Sequence, residues 1–207
     1  MNILVALDVD QIERARQDAL IGQKVVLYKS TASTNDIAWE HAGNPAHHGL
    51  CVLAEAQSKG RGRRGRSWHS RPGESLLCSL LLIDAPIEAE LLTLTAAVAT
   101  AEAISGLCGL KVRIKWPNDI LIADRKLAGI LVEKRTVKGR ACFVVGVGVN
   151  CHQEAAAFEG HAMRTPPTSL RMETGALIDR TALACAFMAA FEEWLARAMV
   201  GMAHPTG

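Results

Sequence analysis

From Ser58 to Gly73 the chain all but runs out of core-forming residues: glycines, arginines and serines surround a single tryptophan, Trp68. No helix or strand can bury such a stretch, because it offers no apolar face at either the helical or the two-residue period. On either side lie apolar runs, Leu50 to Ala56 and Leu76 to Ile83, which read as buried strands. The chain must therefore carry a long polar loop between two core strands, and a loop of that length inside a compact domain is a functional one.

Within this loop Lys59, Arg61, Arg63, Arg64 and Arg66 place five cations between positions 59 and 66. The whole chain has a formal net charge of +2, so removing those five leaves −3. The positive charge is a local device. Gly60, Gly62 and Gly65 lie between the cations, and glycine lets backbone N–H groups approach an anion closely while the loop folds over it. A phosphate or carboxylate is the expected partner. Arginine–glycine interleaving also occurs in segments that bind single-stranded nucleic acid, an alternative the composition leaves open.

The remaining pattern predicts an α+β domain with a mixed, mainly antiparallel sheet backed by helices. Ile12, Ala15, Arg16 and Ala19 suggest a short helix, and Lys24 to Lys29 a strand. Ser33 or Thr34 offers a hydroxyl cap for a helix from Asn35 to Ala42. Pro86 opens an apolar helix in which Leu91, Leu94, Val98, Ala101 and Ile104 recur at three- and four-residue spacing. Four further strands are predicted at Lys111 to Lys115, Ile120 to Ala123, Ala128 to Arg135 and Ala141 to Val149. Their short connections favour antiparallel neighbours. Cys151 to Gly175 reads as an ordered loop, and Thr181 to Met199 as a helix with Leu183, Phe187, Phe191 and Leu195 turned to the core.

With 207 residues and 49% hydrophobic content, one domain over 1–207 is the expectation. A charged fraction of 21% with so small a net charge argues against disorder and against a generally polyanion-binding surface. Uninterrupted apolar runs fall well short of the roughly 20 residues of a membrane span, so none is expected. Met1 to Leu7 lacks a basic leader and a small-residue cleavage site, and so does not read as a secretion signal. The cysteines at 51, 78, 108, 142, 151 and 185 lack metal-clip spacing. They are read as reduced, mostly buried thiols of a cytoplasmic protein. His41, His47, His48 and His69 have no supporting ligand spacing.

Two more clusters carry chemistry. Lys115-Trp116-Pro117-Asn118-Asp119 is followed by Asp124-Arg125-Lys126-Leu127-Ala128-Gly129-Ile130-Leu131-Val132-Glu133. Pro117-Asn118-Asp119 is a good turn and Asp124-Arg125-Lys126 a good hairpin connection, yet a lysine beginning a strand directly after a turn can point into the mouth of a sheet, and Asp119 can reach a metal ion or a ribose. The run Val144-Val145-Gly146-Val147-Gly148-Val149-Asn150 fails as a dinucleotide fingerprint, since no helix follows. It reads instead as a strand thinned by glycine where a backbone or ligand comes close.

In order along the chain, Ser33-Thr34-Asn35, Ala54-Glu55-Ala56-Gln57, the Gly60 to Trp68 loop, Lys115 to Asp119, Arg125 to Leu131 and Gly146 to Asn150 resemble the catalytic domain of the biotin protein ligases. The resemblance implies a fold shared with class II aminoacyl-tRNA synthetases and a two-step reaction. Biotin and ATP give biotinyl-5′-AMP, and a lysine of a biotin carboxyl carrier domain then takes the biotinyl group. It implies that Lys126 binds the biotin carboxylate, that Arg63 and Arg66 screen the phosphates, and that Ser33, Thr34, Asn35 and Gln57, with Arg61 nearby, meet the polar end of biotin. Gly129 and Leu131 would line the tail, Trp68 the adenine side, and Lys115, Asn118, Asp119 and Asn150 the nucleotide, with Asp119 on Mg²⁺.

Only 32 residues precede Ser33, and few follow Met199. The expectation is thus no DNA-reading domain, no C-terminal β-barrel and no nucleic-acid partner, with a sheet-edge homodimer possible for this family. Lipoate ligases and octanoyl transferases share the fold, but the Gly-Arg-Gly-Arg-Arg-Gly-Arg-x-Trp run is of the biotin type. A non-catalytic biotin or nucleotide sensor is the alternative from another class.

Overall fold

The computed structural model describes residues 5–160 and 164–203. Its centre is a seven-stranded sheet in the order β1-β2-β3-β7-β6-β5-β4. The strands are β1 (Val25–Tyr28), β2 (Cys51–Ala54), β3 (Ser75–Ile83), β4 (Arg113–Lys115), β5 (Asp119–Ile122), β6 (Arg125–Val137) and β7 (Arg140–Asn150). β1 runs parallel to β2, and every other pairing is antiparallel, as the short connections predict.

Strand alternation sorts side chains to two faces. Leu76, Cys78, Leu80 and Leu82 of β3 and Val145, Val147 and Val149 of β7 enter the main core. That core is closed by α3 (Ala89–Cys108) and α5 (Arg180–Ala203), which pack extensively on each other, and by α1 (Val9–Ala15). By length and composition α3 is long and apolar enough to cross a membrane. It contains no uninterrupted apolar run of that length, because Glu90 and Glu102 stand within it. Here Leu92, Ala96, Ala99, Ala103 and Ile104 are buried under the sheet.

The other face carries α2 (Thr34–His41) over a smaller cluster of Ala38, Val52, Leu81, Ile83 and Val144. Beside it the sheet carries mostly small side chains: Ser75, Leu77 and Ser79 of β3 oppose Asn150, Gly148 and Gly146 of β7. Gly129 and Leu131 of β6 oppose Gly148 and Gly146 in turn. These cross-strand rows form a floor.

Some predicted elements shift. Ser33 is the N-cap of α2, but its side chain makes no cap hydrogen bond. The first helix ends at Ala15, and β4 is limited to Arg113–Lys115. The stretch from Cys151 to Gly175 is more than a loop: it contains a 3₁₀ turn at Ala155–Phe158 and the short helix α4 (Leu170–Thr174), capped by the Ser169 hydroxyl on Met172 N–H and ended by Gly175 at φ 73°. Residues 161–163 of this stretch lie outside the described residues.

Candidate active site

Over the floor opens a cleft of about 1220 Å³, lined by α2, the polar loop, the Lys115–Asp119 turn, β6, β7 and the segment after Asn150. The residues expected to hold biotin or ATP all line it, with the exception of Gly65, at the exposed tip of the loop.

The loop is built as a small flap. Trp68 N–H donates to the Gly60 carbonyl at 2.9 Å, Gly62 N–H to the Arg66 carbonyl at 2.7 Å, and Arg61 and Ser67 form a bridge between them. Its tip, Arg63–Gly65, is a 3₁₀ turn with Arg64 left-handed at φ 57°. The Gly62 N–H is thus engaged within the flap, a correction to the expectation that it cradles an anion. What the flap presents is guanidinium: Arg63, Arg64 and Arg66 are exposed, and Arg63 reaches Asn118 Oδ1 at 3.4 Å. Arg61 is used differently. It donates to Asp36 at 2.7 Å and lies 3.4 Å from Glu133, pinning the root of the flap to α2 and β6. The Asp36 hydrogen bond, reinforced by Glu133, pushes the Arg61 pKa above its ordinary value despite partial burial.

Gly146 and Gly148 are explained by what rests on them. A Cβ on Gly148 would stand 2.6 Å from the Trp68 indole, and one on Gly146 would stand 2.4 Å from Asn35 Oδ1. Side chains, rather than a backbone, make the close approach. Trp68 therefore lies on the Gly129–Gly148 row, with Lys126 Nζ 5.8 Å from its ring centroid. The indole thereby shares the row of Gly129, the residue expected to line an apolar tail. Its Nε1–H is buried without a hydrogen-bond partner among the described residues.

Lys126 owes its position to a bulge. Even-numbered Ala128 and Ile130 of β6 enter the core, so strict alternation would send Lys126 there too. Between Ile120 and Leu121 the β5–β6 register shifts, Ala128 pairing with Ile120 and Lys126 with Leu121. The extra residue, Leu127, is fully buried. A bulge of this kind re-aims the next side chain, and Lys126 Nζ meets Asp119 Oδ1 at 2.7 Å in the cleft. The hairpin turn is at Ala123 and Asp124, both at positive φ, with Lys126 already in the strand.

The other nucleotide-side candidates are placed with mixed results. Asn118 donates to the Ile130 carbonyl at 3.1 Å. Asn150 is buried and donates to the Thr168 carbonyl at 2.9 Å. Lys115 ends β4 ahead of the turn, as the predicted strand requires, and its exposed ammonium donates to Thr165 Oγ1 at 3.1 Å. Among the described residues no three His, Cys, Asp or Glu side chains cluster as a metal cage.

At the opposite end, Ser33, Thr34 and Asn35 are all buried where α2 begins. Thr34 N–H donates to Gln57 Oε1 at 2.7 Å, with Thr34 Oγ1 3.0 Å from the same oxygen. Ser79 and Glu133, given no role from sequence, join this network. Ser79 is a polar residue within the apolar run of β3, whereas Glu133 is followed by charged residues of β6 and carried no such signal.

A cationic flap, a lysine–carboxylate pair and a buried polar pocket in one cleft define a site for acidic small molecules. Residues 27–150 match the model of the biotin/lipoate A/B protein ligase family, and the chain belongs to that family. It is 35% identical over 190 residues to the bifunctional ligase/repressor BirA of Bacillus subtilis, covering 90% of this chain. It spans only 58% of that relative's length. A biotin–[acetyl-CoA-carboxylase] ligase of Paracoccus denitrificans is 39% identical over 153 residues, which is 70% of this chain and 62% of that one. Among solved structures, the biotin protein ligase of Aquifex aeolicus in complex with biotin and ATP superposes with a TM-score of 0.70 at 26% identity, over 84% of this chain and 71% of that one. The fold is of the biotin-ligase type, related to class II aminoacyl-tRNA synthetases.

Proposed function

We propose that the chain, acting as one catalytic unit over residues 1–207, activates biotin with ATP to biotinyl-5′-AMP and transfers the biotinyl group to a lysine of a biotin carboxyl carrier domain. The observation that carries this reading is the convergence of Lys126, the flap arginines and the buried Thr34–Gln57 pocket on one cleft large enough for two substrates side by side.

The chemical difficulty is electrostatic. A carboxylate must approach a triphosphate, and each pair of like unit charges at about 4 Å costs roughly 4 kcal/mol at an effective dielectric near 20. Arg63 and Arg66, exposed at the flap, would close on the phosphates. Lys126 would leave Asp119 for the biotin carboxylate, placing its charge where the attacking oxygen and α-phosphorus meet as the α–β phosphoanhydride bond breaks and pyrophosphate leaves. Closure also keeps water from the acyl phosphate. In the second half-reaction the carrier lysine attacks the acyl carbon, the bond to the phosphate oxygen breaks and AMP leaves.

Magnesium fits the donors present, since Mg²⁺ is commonly held by one or two carboxylates plus substrate phosphates, and Asp119 offers a hard oxygen in the cleft beside Lys126. Asp119 would hold it, and the ion would supply further neutralisation of the triphosphate. The six thiols are unpaired, four of them fully buried, which suits the cytoplasm. β1 and β4 are the two sheet edges, either of which offers backbone groups to a second copy.

Biotin-dependent exchange of labelled pyrophosphate into ATP tests the first step. Exchange with biotin but not with lipoate supports the reading; tight biotin binding without exchange favours a sensor.

A further inference from the structure

The polar end of the cleft is a chain of hydrogen bonds that starts outside the cleft, at Glu133. Its carboxylate accepts from Asn35 Nδ2 at 2.9 Å and from Trp39 Nε1 at 3.0 Å. An ionised carboxylate has no proton to give, so the Asn35 amide must turn its NH₂ to Glu133 and its oxygen inward. That oxygen rests over Gly146, where no other residue leaves room, and lies 2.6 Å from Ser79 Oγ. Ser79 must therefore donate to Asn35. Having spent its proton, Ser79 meets Thr34 Oγ1 at 2.7 Å as an acceptor, and Thr34 must donate to Ser79.

The consequence falls on Gln57. Its Oε1 is fixed by Thr34 N–H at 2.7 Å and stands 3.0 Å from Thr34 Oγ1. Three oxygen–oxygen contacts run from Asn35 to Gln57, at 2.6, 2.7 and 3.0 Å, and the two hydroxyls hold only two protons between them. With the first two contacts served, Thr34 Oγ1 and Gln57 Oε1 face each other as acceptors. A ligand N–H satisfies them, whereas a ligand oxygen adds a third lone pair to the same spot.

We propose that Glu133 is a positioning residue which, through Asn35 and Ser79, sets the direction of this chain and so makes the Thr34–Gln57 pocket select a ligand N–H donor, here a ureido N–H. The assignment rests on the biotin reading. Neither Glu133 nor Ser79 needs to touch the ligand.

The test compares dissociation constants, by calorimetry, for biotin and for its cyclic carbamate analogue, in which a ring oxygen replaces one ureido N–H. The wild-type chain should prefer biotin roughly tenfold or more, as expected of a site built around a donor. Glu133→Met removes the acceptor that holds the Asn35 NH₂, so the amide can turn and the chain reverse, and the preference should fall below about threefold. Ser79→Ala frees the Thr34 proton to face the ligand and should have the same effect; it decides the matter if Glu133→Met does not fold. Asp36→Asn loosens Arg61 without touching the chain and should weaken both ligands alike. An unchanged ratio in the variants that fold, with biotin still bound by the wild type, overturns this assignment alone. Failure of the wild type to bind biotin overturns the ligase reading as well.

Discussion

Lys126 Nζ and Asp119 Oδ1 meet at 2.7 Å, seven positions apart in sequence, across a bulge that turns Lys126 out of the core and into the cleft. In a strictly alternating strand, with Leu127 paired and not bulged, the ammonium would point among Ala128 and Ile130 on the buried face. The bulge is thus the local feature that makes a reactive site out of an otherwise regular hairpin, a role bulges take next to active sites.

The flap arginines should act on rate and leave the fold alone. Arg63 and Arg66 are exposed and brace no core element. Arg63→Gln or Arg66→Gln should each slow adenylate formation by about a hundredfold, the lower end of the range for losing one charge-stabilising donor. Thermal unfolding should be unchanged. A variant that loses several degrees of melting temperature without a rate defect would make the arginine structural.

Gly148 should tolerate no side chain. Its Cβ would stand 2.6 Å from the indole of Trp68, so Gly148→Ala must lift the ring or strain the strand. A cost of about 1–3 kcal/mol is expected from overpacking of this kind. Urea unfolding measures it, and a shift in tryptophan emission reports the displaced ring. Wild-type stability with unchanged emission would place Trp68 elsewhere.

Burial pushes the Cys151 thiol up from its ordinary value of 9.0 to about 12. Between those values the unfolded chain has released this proton and the folded chain retains it. Stability is therefore full below pH 9 and falls as pH rises toward 12. Cys151→Ala should flatten part of that decline in urea unfolding at pH 8 and pH 10. An equal decline in both proteins would show that other groups carry it.

Much of the architecture could be read from periodicity. The alternating strands and the stripe of Leu183, Phe187 and Phe191 on α5 need only local pattern, and they pack as that pattern requires. The polar stretch around Trp68 announced a flap because nothing in it can be buried. Other features depended on three-dimensional pairing. The bulge at Leu127 exists only relative to β5, and α4 hides in a stretch whose prolines and glycines read as loop. Trp68 finds its seat because β6 and β7 bring Gly129 and Gly148 side by side. Glu133 stood at the end of a noted cluster, but its partners Asn35 and Trp39 are nearly a hundred positions away, beyond any local signal.

The central claim, that one ammonium and a guanidinium flap let a carboxylate reach a triphosphate, is tested most directly by mass spectrometry of a quenched mixture of protein, biotin and Mg-ATP. The wild-type chain should yield biotinyl-5′-AMP, and a folded Lys126→Ala should yield at least about a hundredfold less. Equal adenylate from both proteins, or none from the wild type while biotin is bound, would contradict it.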